Sequence, residues 1–233
     1  MIPFHDTVRA RDVPLMNWAL IGANLLVFLF ETTLSRQQLL SFTNAFGLVP
    51  RRLWASPGLN QMLTIFSSMF MHGGWWHLVG NLWVLFIFGD NVEDRMGHFR
   101  YLLFYLLCGL AAALAHAFVV PRSQVATIGA SGAISGIMGA YLVLFPRARV
   151  LTFVPFFFLP WLVEVPALIF IGLWFVSQLF NGLFSLIALS AVQMYGGVAW
   201  WAHVGGFAAG LFSVKLFERR NYQRFYRDEH WPW

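Results

Sequence analysis

Long apolar runs alternate with short polar or charged segments along the whole chain. At about 1.5 Å per residue, roughly 20 apolar helical residues cross the hydrocarbon core of a bilayer. The pattern predicts an all-α polytopic membrane protein with six spans, at about residues 16–30, 75–88, 101–120, 131–145, 166–189 and 201–217. These spans define a membrane domain over residues 16–219, between a head of residues 1–15 and a tail of residues 220–233.

Two of the connections between spans are long enough to carry structure of their own. Residues 31–74 are partly apolar, so we expect them to fold as an outer loop at the membrane interface. Residues 150–163 are apolar but interrupted by Pro155 and Pro160. Because proline breaks a helix, we expect an interfacial connection here.

The composition also indicates a membrane protein. Hydrophobic residues make up 59% of the chain, charged residues 11%, and the mean hydropathy is +0.65. A soluble domain is far less apolar. The net charge of +5 could suggest nucleic-acid binding. The basic residues lie at the ends of spans and form no patch, however, so we expect no nucleic-acid partner. The single cysteine, Cys108, cannot form an internal disulfide.

The basic residues predict the orientation in the membrane, because cytoplasmic loops carry an excess of lysine and arginine. With a cytoplasmic N-terminus, eleven basic residues lie inside and four outside. The inside set is Arg9, Arg11, Arg95, Arg100, Arg147, Arg149, Lys215, Arg219, Arg220, Arg224 and Arg227; the outside set is Arg36, Arg51, Arg52 and Arg122. Both termini are then cytoplasmic, and spans two, four and six begin at the outer face. We expect an integral protein of a prokaryotic inner membrane.

The fourth span is short and begins at Ser131. Its 15 residues reach roughly 22 Å, against about 30 Å for a bilayer core, so Ser131 would lie roughly 8 Å below the outer surface. Its glycines share one helical face, and Gly206 with Gly210 forms a similar face on the sixth span. Two such faces allow backbones to pack closely. The sequence therefore predicts that Ser131 and His203 meet.

Four sequence motifs resemble those of the rhomboid intramembrane serine proteases of the prokaryotic type. They are Gly129-Ala130-Ser131-Gly132, Ala202-His203-Val204-Gly205-Gly206, the segment from His72 to Asn81, and Glu93 with Arg95. The resemblance covers nearly the whole chain. It implies a six-helix rhomboid-like bundle with a short central fourth helix, in which Ser131 is the nucleophile and His203 the general base. It further implies that His77 and Asn81 form the oxyanion hole, and that Glu93 and Arg95 are structural.

Two positions depart from the family pattern. Ser135 lies where some members carry an aromatic residue that packs on the catalytic histidine, and Leu63-Thr64 replaces a Trp-Arg pair. The resemblance also implies substrate access past a mobile fifth helix. Candidate gate residues there are Trp174, Phe175 and Phe180.

The chemistry follows from the residues as well. Serine becomes a good nucleophile when a base takes its proton, and His203 is the ionisable group best placed to do so. No acidic residue falls within the outer half of a predicted span, and Glu31 marks an outer boundary. We therefore predict a Ser–His dyad without a carboxylate. The Ser131 N–H, the Asn81 amide and His77 would stabilise the oxyanion.

Other interpretations remain open at this point. A serine among glycines is often a packing residue, and His77 with Asn81 could form a structural interhelical hydrogen bond. The chain could be an inactive relative that binds membrane proteins, or a transporter. A metalloprotease is disfavoured because no H-E-x-x-H motif occurs. We expect transmembrane protein substrates and the bilayer as partners, and neither a cofactor nor a metal.

Overall fold

A computed structural model describes residues 1–156, 159–187 and 198–219. Six of the described helices carry most of the apolar sequence. They are α1 (Leu15–Thr33), α5 (Trp75–Met96), α6 (His98–Val119), α7 (Ser131–Leu144), α8 (Ala167–Ile187) and α9 (Trp200–Phe217). By length and composition, α1, α6 and α8 are able to cross a membrane, whereas α7 is apolar but has only 14 residues.

The chain is mostly helical, but the expectation of an all-α fold is wrong. A three-stranded antiparallel sheet, in the order β1-β2-β3, is built from β1 (Ile2–Asp6), β2 (Arg149–Phe156) and β3 (Leu159–Pro166). Residues 150–156 pair with residues 159–165 in antiparallel register, and part of the predicted head 1–15 adds a strand to them. Proline is tolerated here because β3 is an edge strand and Pro155 lies beyond the part of β2 that pairs with β1.

Short helices occupy the long connection between α1 and α5. They are α2 (Arg36–Phe46), α3 (Pro50–Ala55) and α4 (Leu59–Ser67), followed by a 3₁₀ turn at Ser68–Phe70. Leu48 forms an isolated β-bridge with Thr127, and the Trp54 indole donates a hydrogen bond to the Ala117 carbonyl. These contacts attach the connection to α6 and to the segment that leads into α7. Each predicted span overlaps one of the six long helices, and residues 188–189 and the tail 220–233 lie outside the described part.

The helix α7 is the centre of the bundle. All of its residues from Gly132 to Tyr141 are buried, and it packs against α5, α6 and α9. Its closest neighbour is α9. A Cβ atom on Gly206 would lie 1.9 Å from the Gly132 carbonyl oxygen, and one on Gly210 would lie 2.0 Å from the Gly136 oxygen. Only glycine allows this backbone-to-backbone contact.

Glu93 and Arg95 connect the ends of three helices at the side of the bundle away from Ser131. The Glu93 carboxylate accepts the backbone N–H groups of Met16 (2.9 Å) and Asn17 (2.7 Å), and so caps the N-terminus of α1. The fully buried Arg95 donates to the Leu144 carbonyl at the end of α7 (3.2 Å) and pairs with Glu218 after α9. Glu93 and Arg95 therefore hold the start of α1 and the ends of α7 and α9 against α5.

The helix α8 lies at the outside of the bundle. Its buried residues are Ala167, Ile171, Gln178 and Gly182, which form one narrow stripe. The remaining surface is largely exposed and apolar. Its main contact is with α9, where the Phe175 and Phe207 rings stack with centroids 4.3 Å apart.

Candidate active site

Ser131 is the first residue of α7. The loop before it requires glycine at position 129. Gly129 has φ +127°, which side-chain-bearing residues rarely adopt, and its N–H donates to the Ser68 carbonyl (2.9 Å). A Cβ atom on Gly129 would lie 2.8 Å from His77 Nε2. At the start of a helix the N–H groups have no intrahelical acceptor. The Ser131 hydroxyl therefore lies beside backbone donors that are able to bind an anion.

His203 lies on α9, opposite Ser131, and is 8% exposed. Its Nε2 is 2.7 Å from the Ser131 Oγ, which is hydrogen-bonding distance. The two helices approach closely enough for this contact because of the glycine pairs described above. The structure thus brings together the two residues for which the sequence predicts nucleophile and base.

Gln178 on α8 contacts the other side of the imidazole. Its Oε1 lies 2.8 Å from His203 Nδ1. The sequence analysis did not select this residue. An amide side chain within a predicted membrane span was the signal that could have identified it.

His77 and Asn81 lie one turn apart on α5 and face the same cavity as Ser131. The Asn81 Nδ2 donates to the His77 carbonyl (3.0 Å), and the Gly73 N–H donates to His77 Nδ1 (3.3 Å). Because Nδ1 accepts a hydrogen bond, the neutral ring carries its proton on Nε2, the nitrogen close to Gly129. An N–H donor is therefore directed towards the serine loop.

One cavity of about 900 Å³ is lined by Ser131, His203, His77 and Asn81. Below the serine, its walls are mainly apolar. They include Val84 of α5, Ile134 and Met138 of α7, and Trp174 of α8. Such a cavity offers a few directed polar groups within an apolar surround, which is typical of a substrate-binding site.

The aromatic contacts of His203 come from α8 and from the start of α9. Ser135, at the position that is aromatic in some rhomboids, is buried and donates to the Ser131 carbonyl (2.6 Å). Instead, the Trp174 ring lies 5.8 Å from the His203 ring, tilted by 34°. Trp200 meets the same imidazole edge-on at 6.1 Å.

Two further polar residues lie near the site. Glu31 lies in the last turn of α1. Its Oε2 accepts the backbone N–H of His72, in the loop before α5 (3.1 Å), and so binds this loop to α1. Burial, with a smaller contribution from His77, lowers the pKa of His72 to about 4. Within residues 1–156, 159–187 and 198–219, no group of three His, Cys, Asp or Glu side chains could hold a metal ion.

Comparison with known proteins identifies the class. Residues 59–220 match the model of the Rhomboid domain, so the chain belongs to the rhomboid family. It is an integral membrane protein related to membrane proteases.

Several relatives carry the rhomboid name. The chain is 26% identical to Rhomboid protein 1, mitochondrial, of Saccharomyces cerevisiae over 72% of its length and 47% of that protein. It is 26% identical to the Presenilin-associated rhomboid-like protein, mitochondrial, of Pongo abelii over 84% of its length and 45% of that protein. It is 33% identical to the Putative rhomboid protease YdcA of Bacillus subtilis over 34% of its length and 39% of that protein. The matched segments cover less than half of each of these relatives.

Proposed function

We propose that the chain is an intramembrane serine endopeptidase that hydrolyses peptide bonds in or beside transmembrane helices of other membrane proteins. The observation that carries this proposal is the 2.7 Å contact between Ser131 Oγ and His203 Nε2 in the cavity among α5, α7, α8 and α9. Buried polar residues in membrane proteins are costly and are usually functional.

The proposed reaction begins when His203 Nε2 takes the Ser131 proton as Oγ attacks the carbonyl carbon of the scissile bond. The negative charge that develops on the carbonyl oxygen is stabilised by the Ser131 N–H, the Asn81 amide and His77. As the C–N bond breaks, His203 returns the proton to the leaving amine. Water then attacks the acyl-enzyme, His203 takes its proton, and the carboxylic acid leaves as Oγ is reprotonated.

Asn81 is able to take part without releasing the His77 carbonyl. Its Nδ2 has two hydrogens, and only one is used in the hydrogen bond to that carbonyl. The second hydrogen is available for the oxyanion without loss of the first. This favours a role for Asn81 in the reaction over a purely structural interhelical hydrogen bond, because its acceptor is on its own helix.

We further propose a six-span topology for residues 16–219, with both termini cytoplasmic and the Ser131 end of α7 towards the outer face of a prokaryotic inner membrane. The distribution of basic residues supports this orientation. Glu93 and Arg95, with Gly206 and Gly210, would be structural: the first two connect helix ends and the glycines allow α7 and α9 to pack.

The substrates would be transmembrane proteins whose helices unwind readily near the cleavage site, because a helical amide is shielded from attack. Co-expression with candidate single-pass proteins tests the proposal. The wild type should produce cleavage fragments, and the Ser131→Ala variant should produce none. Fragments of equal amount from both would exclude the proposed activity. An inactive relative that binds membrane proteins would co-purify with a substrate without cleaving it.

A further inference from the structure

Gln178 is a buried polar residue that the reaction described above does not use. It is 5% exposed, on a helix whose other buried residues are Ala167, Ile171 and Gly182. Burial of an amide is costly unless its hydrogen-bonding groups have partners. The partners of Gln178 therefore indicate what the residue does.

The neighbours of Gln178 determine which way its amide points. Its Nε2 donates to the Trp174 carbonyl (3.0 Å) and to Ser177 Oγ (2.8 Å). The Ser177 hydroxyl uses its only hydrogen to donate to the same Trp174 carbonyl (2.6 Å), so it can only accept from Gln178. Both amide hydrogens are thus used on the α8 side. The remaining atom, Oε1, is directed at His203 and can only accept.

The direction of the amide sets the tautomer of His203. Since Oε1 is an acceptor 2.8 Å from Nδ1, the imidazole must carry its proton on Nδ1. The Nε2 of the neutral ring is then unprotonated, and it is this atom that lies 2.7 Å from Ser131 Oγ. A ring with its proton on Nε2 could not accept the serine proton.

We infer that Gln178 is a positioning residue: it holds His203 in the tautomer and orientation in which Nε2 takes the Ser131 proton. In soluble serine proteases a buried aspartate holds the histidine in the correct tautomer and orientation. Gln178 orients His203 in the same way, but through a neutral acceptor oxygen. The inference rests on the proposed function. It also means that α8 contributes to the active site, because Trp174, one turn away, packs on the same imidazole.

The test compares three variants of the full chain in detergent micelles. Gln178→Met removes the acceptor and keeps an unbranched side chain of similar length. Gln178→Glu keeps an acceptor oxygen in place. Asn181→Leu is the matched control: Asn181 lies one turn further along the same helix, and within the described residues its side chain hydrogen-bonds only the Ser177 carbonyl. The readouts are the rate of serine labelling by a fluorophosphonate probe, and kcat and KM for a single-pass transmembrane substrate.

We expect Gln178→Met to lower kcat and the labelling rate about tenfold, the kinetic equivalent of one net hydrogen bond, with KM nearly unchanged. Gln178→Glu should restore most of the loss, and Asn181→Leu should match the wild type. A merely structural role would lower thermal stability and the fraction of active protein, and leave kcat per active site unchanged. Wild-type kcat per active site in Gln178→Met would overturn the inference.

The tautomer itself can be observed by ¹⁵N nuclear magnetic resonance of protein labelled at histidine, with the His203 signals assigned by comparison with His203→Ala. The wild type should show a protonated Nδ1 and an unprotonated Nε2, and Gln178→Met a mixture of tautomers. A protonated Nε2 in the neutral wild-type ring would overturn the inference. This measurement needs no activity, so it decides the role of Gln178 independently of the labelling experiment. Failure of the probe to label the wild type would refute the proposed function, but it would not change the tautomer that is observed.

Discussion

The Nε2 atom of His203 lies 2.7 Å from the Oγ atom of Ser131, although the two residues are 72 positions apart in the chain. Each lies on a different helix, and the helices touch through backbone atoms at Gly132 and Gly206. The active-site contact therefore depends on glycine packing further along the same interface. Changes to that packing should affect both stability and activity.

Replacement of Gly210 by alanine should separate α7 from α9. The new Cβ would lie 2.0 Å from the Gly136 carbonyl oxygen, a distance that forces the backbones apart. Overpacking of this kind typically costs about 1–3 kcal/mol. We expect a lower melting temperature in detergent and slower labelling of Ser131 by a fluorophosphonate.

Gly172→Ala is the matched control for this change. Gly172 lies within α8, and nothing lies within 4 Å of a Cβ built on it. Because alanine favours helix by up to about 1 kcal/mol over glycine, this variant should be as stable as the wild type or slightly more so. Equal melting temperatures for Gly210→Ala and Gly172→Ala would contradict the proposed packing role.

Asn81→Ala tests the proposed oxyanion hole. Loss of one oxyanion donor typically lowers kcat by about 10²–10³, whereas KM should change little because the interaction forms in the transition state. Steady-state kinetics on a transmembrane substrate measures both constants. If Asn81 were instead structural, the melting temperature would fall and kcat per active site would stay at the wild-type value.

The sequence was sufficient to predict the helices and the meeting of Ser131 with His203, because both depend on local signals: apolar runs, glycine spacing, and a few polar residues in apolar helices. It was not sufficient for the sheet. Strand β1 pairs with β2 across more than 140 residues, and a proline-interrupted apolar segment has no periodicity that reveals such a partner.

The contact of Gln178 with His203 could not be predicted for a similar reason. Which face of α8 turns inward depends on how the helix packs against α9, where Phe175 stacks on Phe207. Most of the surface of this helix is apolar whichever way it turns, so the hydrophobic pattern alone does not fix its rotation. The family resemblance indicated only that Ser135 departs from the pattern, and did not indicate which other residue contacts the histidine.

The buried His72 should make stability depend on pH. The pKa of His72 is lowered from 6.5 to about 4 in the folded state, mainly by burial. Between these pH values the unfolded chain binds a proton that the folded chain does not, so stability falls as the pH falls from about 6.5 to about 4. The nearby Glu31 carboxylate, which accepts the His72 N–H, and the His77 ring, 5.1 Å away, are the titratable groups beside it.

His72→Gln should remove this contribution. Its melting temperature in detergent should fall less than that of the wild type between pH 7.5 and pH 5, while its backbone N–H still binds Glu31. Melting temperatures measured across this range for both proteins provide the comparison. Identical pH dependence of the two would show that His72 does not titrate as described.

Phe175→Ala should speed cleavage of a transmembrane substrate if the substrate gains access past α8. The change removes the ring that stacks on Phe207 and loosens α8 from α9. Leu183 lies on the same helix and is 56% exposed, so Leu183→Ala provides the control and should cleave at the wild-type rate. Trp174→Ala should give a smaller gain or a loss, because Trp174 also packs on His203. Initial rates in liposomes test this, and an unchanged or slower Phe175→Ala would count against a gate at α8.

Labelling with a fluorophosphonate probe tests the central claim most directly. We predict that the wild type is modified at Ser131, as located by mass spectrometry, that Ser131→Ala is not labelled, and that His203→Ala is labelled far more slowly. Equal labelling of the wild type and Ser131→Ala would contradict the account, because Ser131 would then not be the nucleophile.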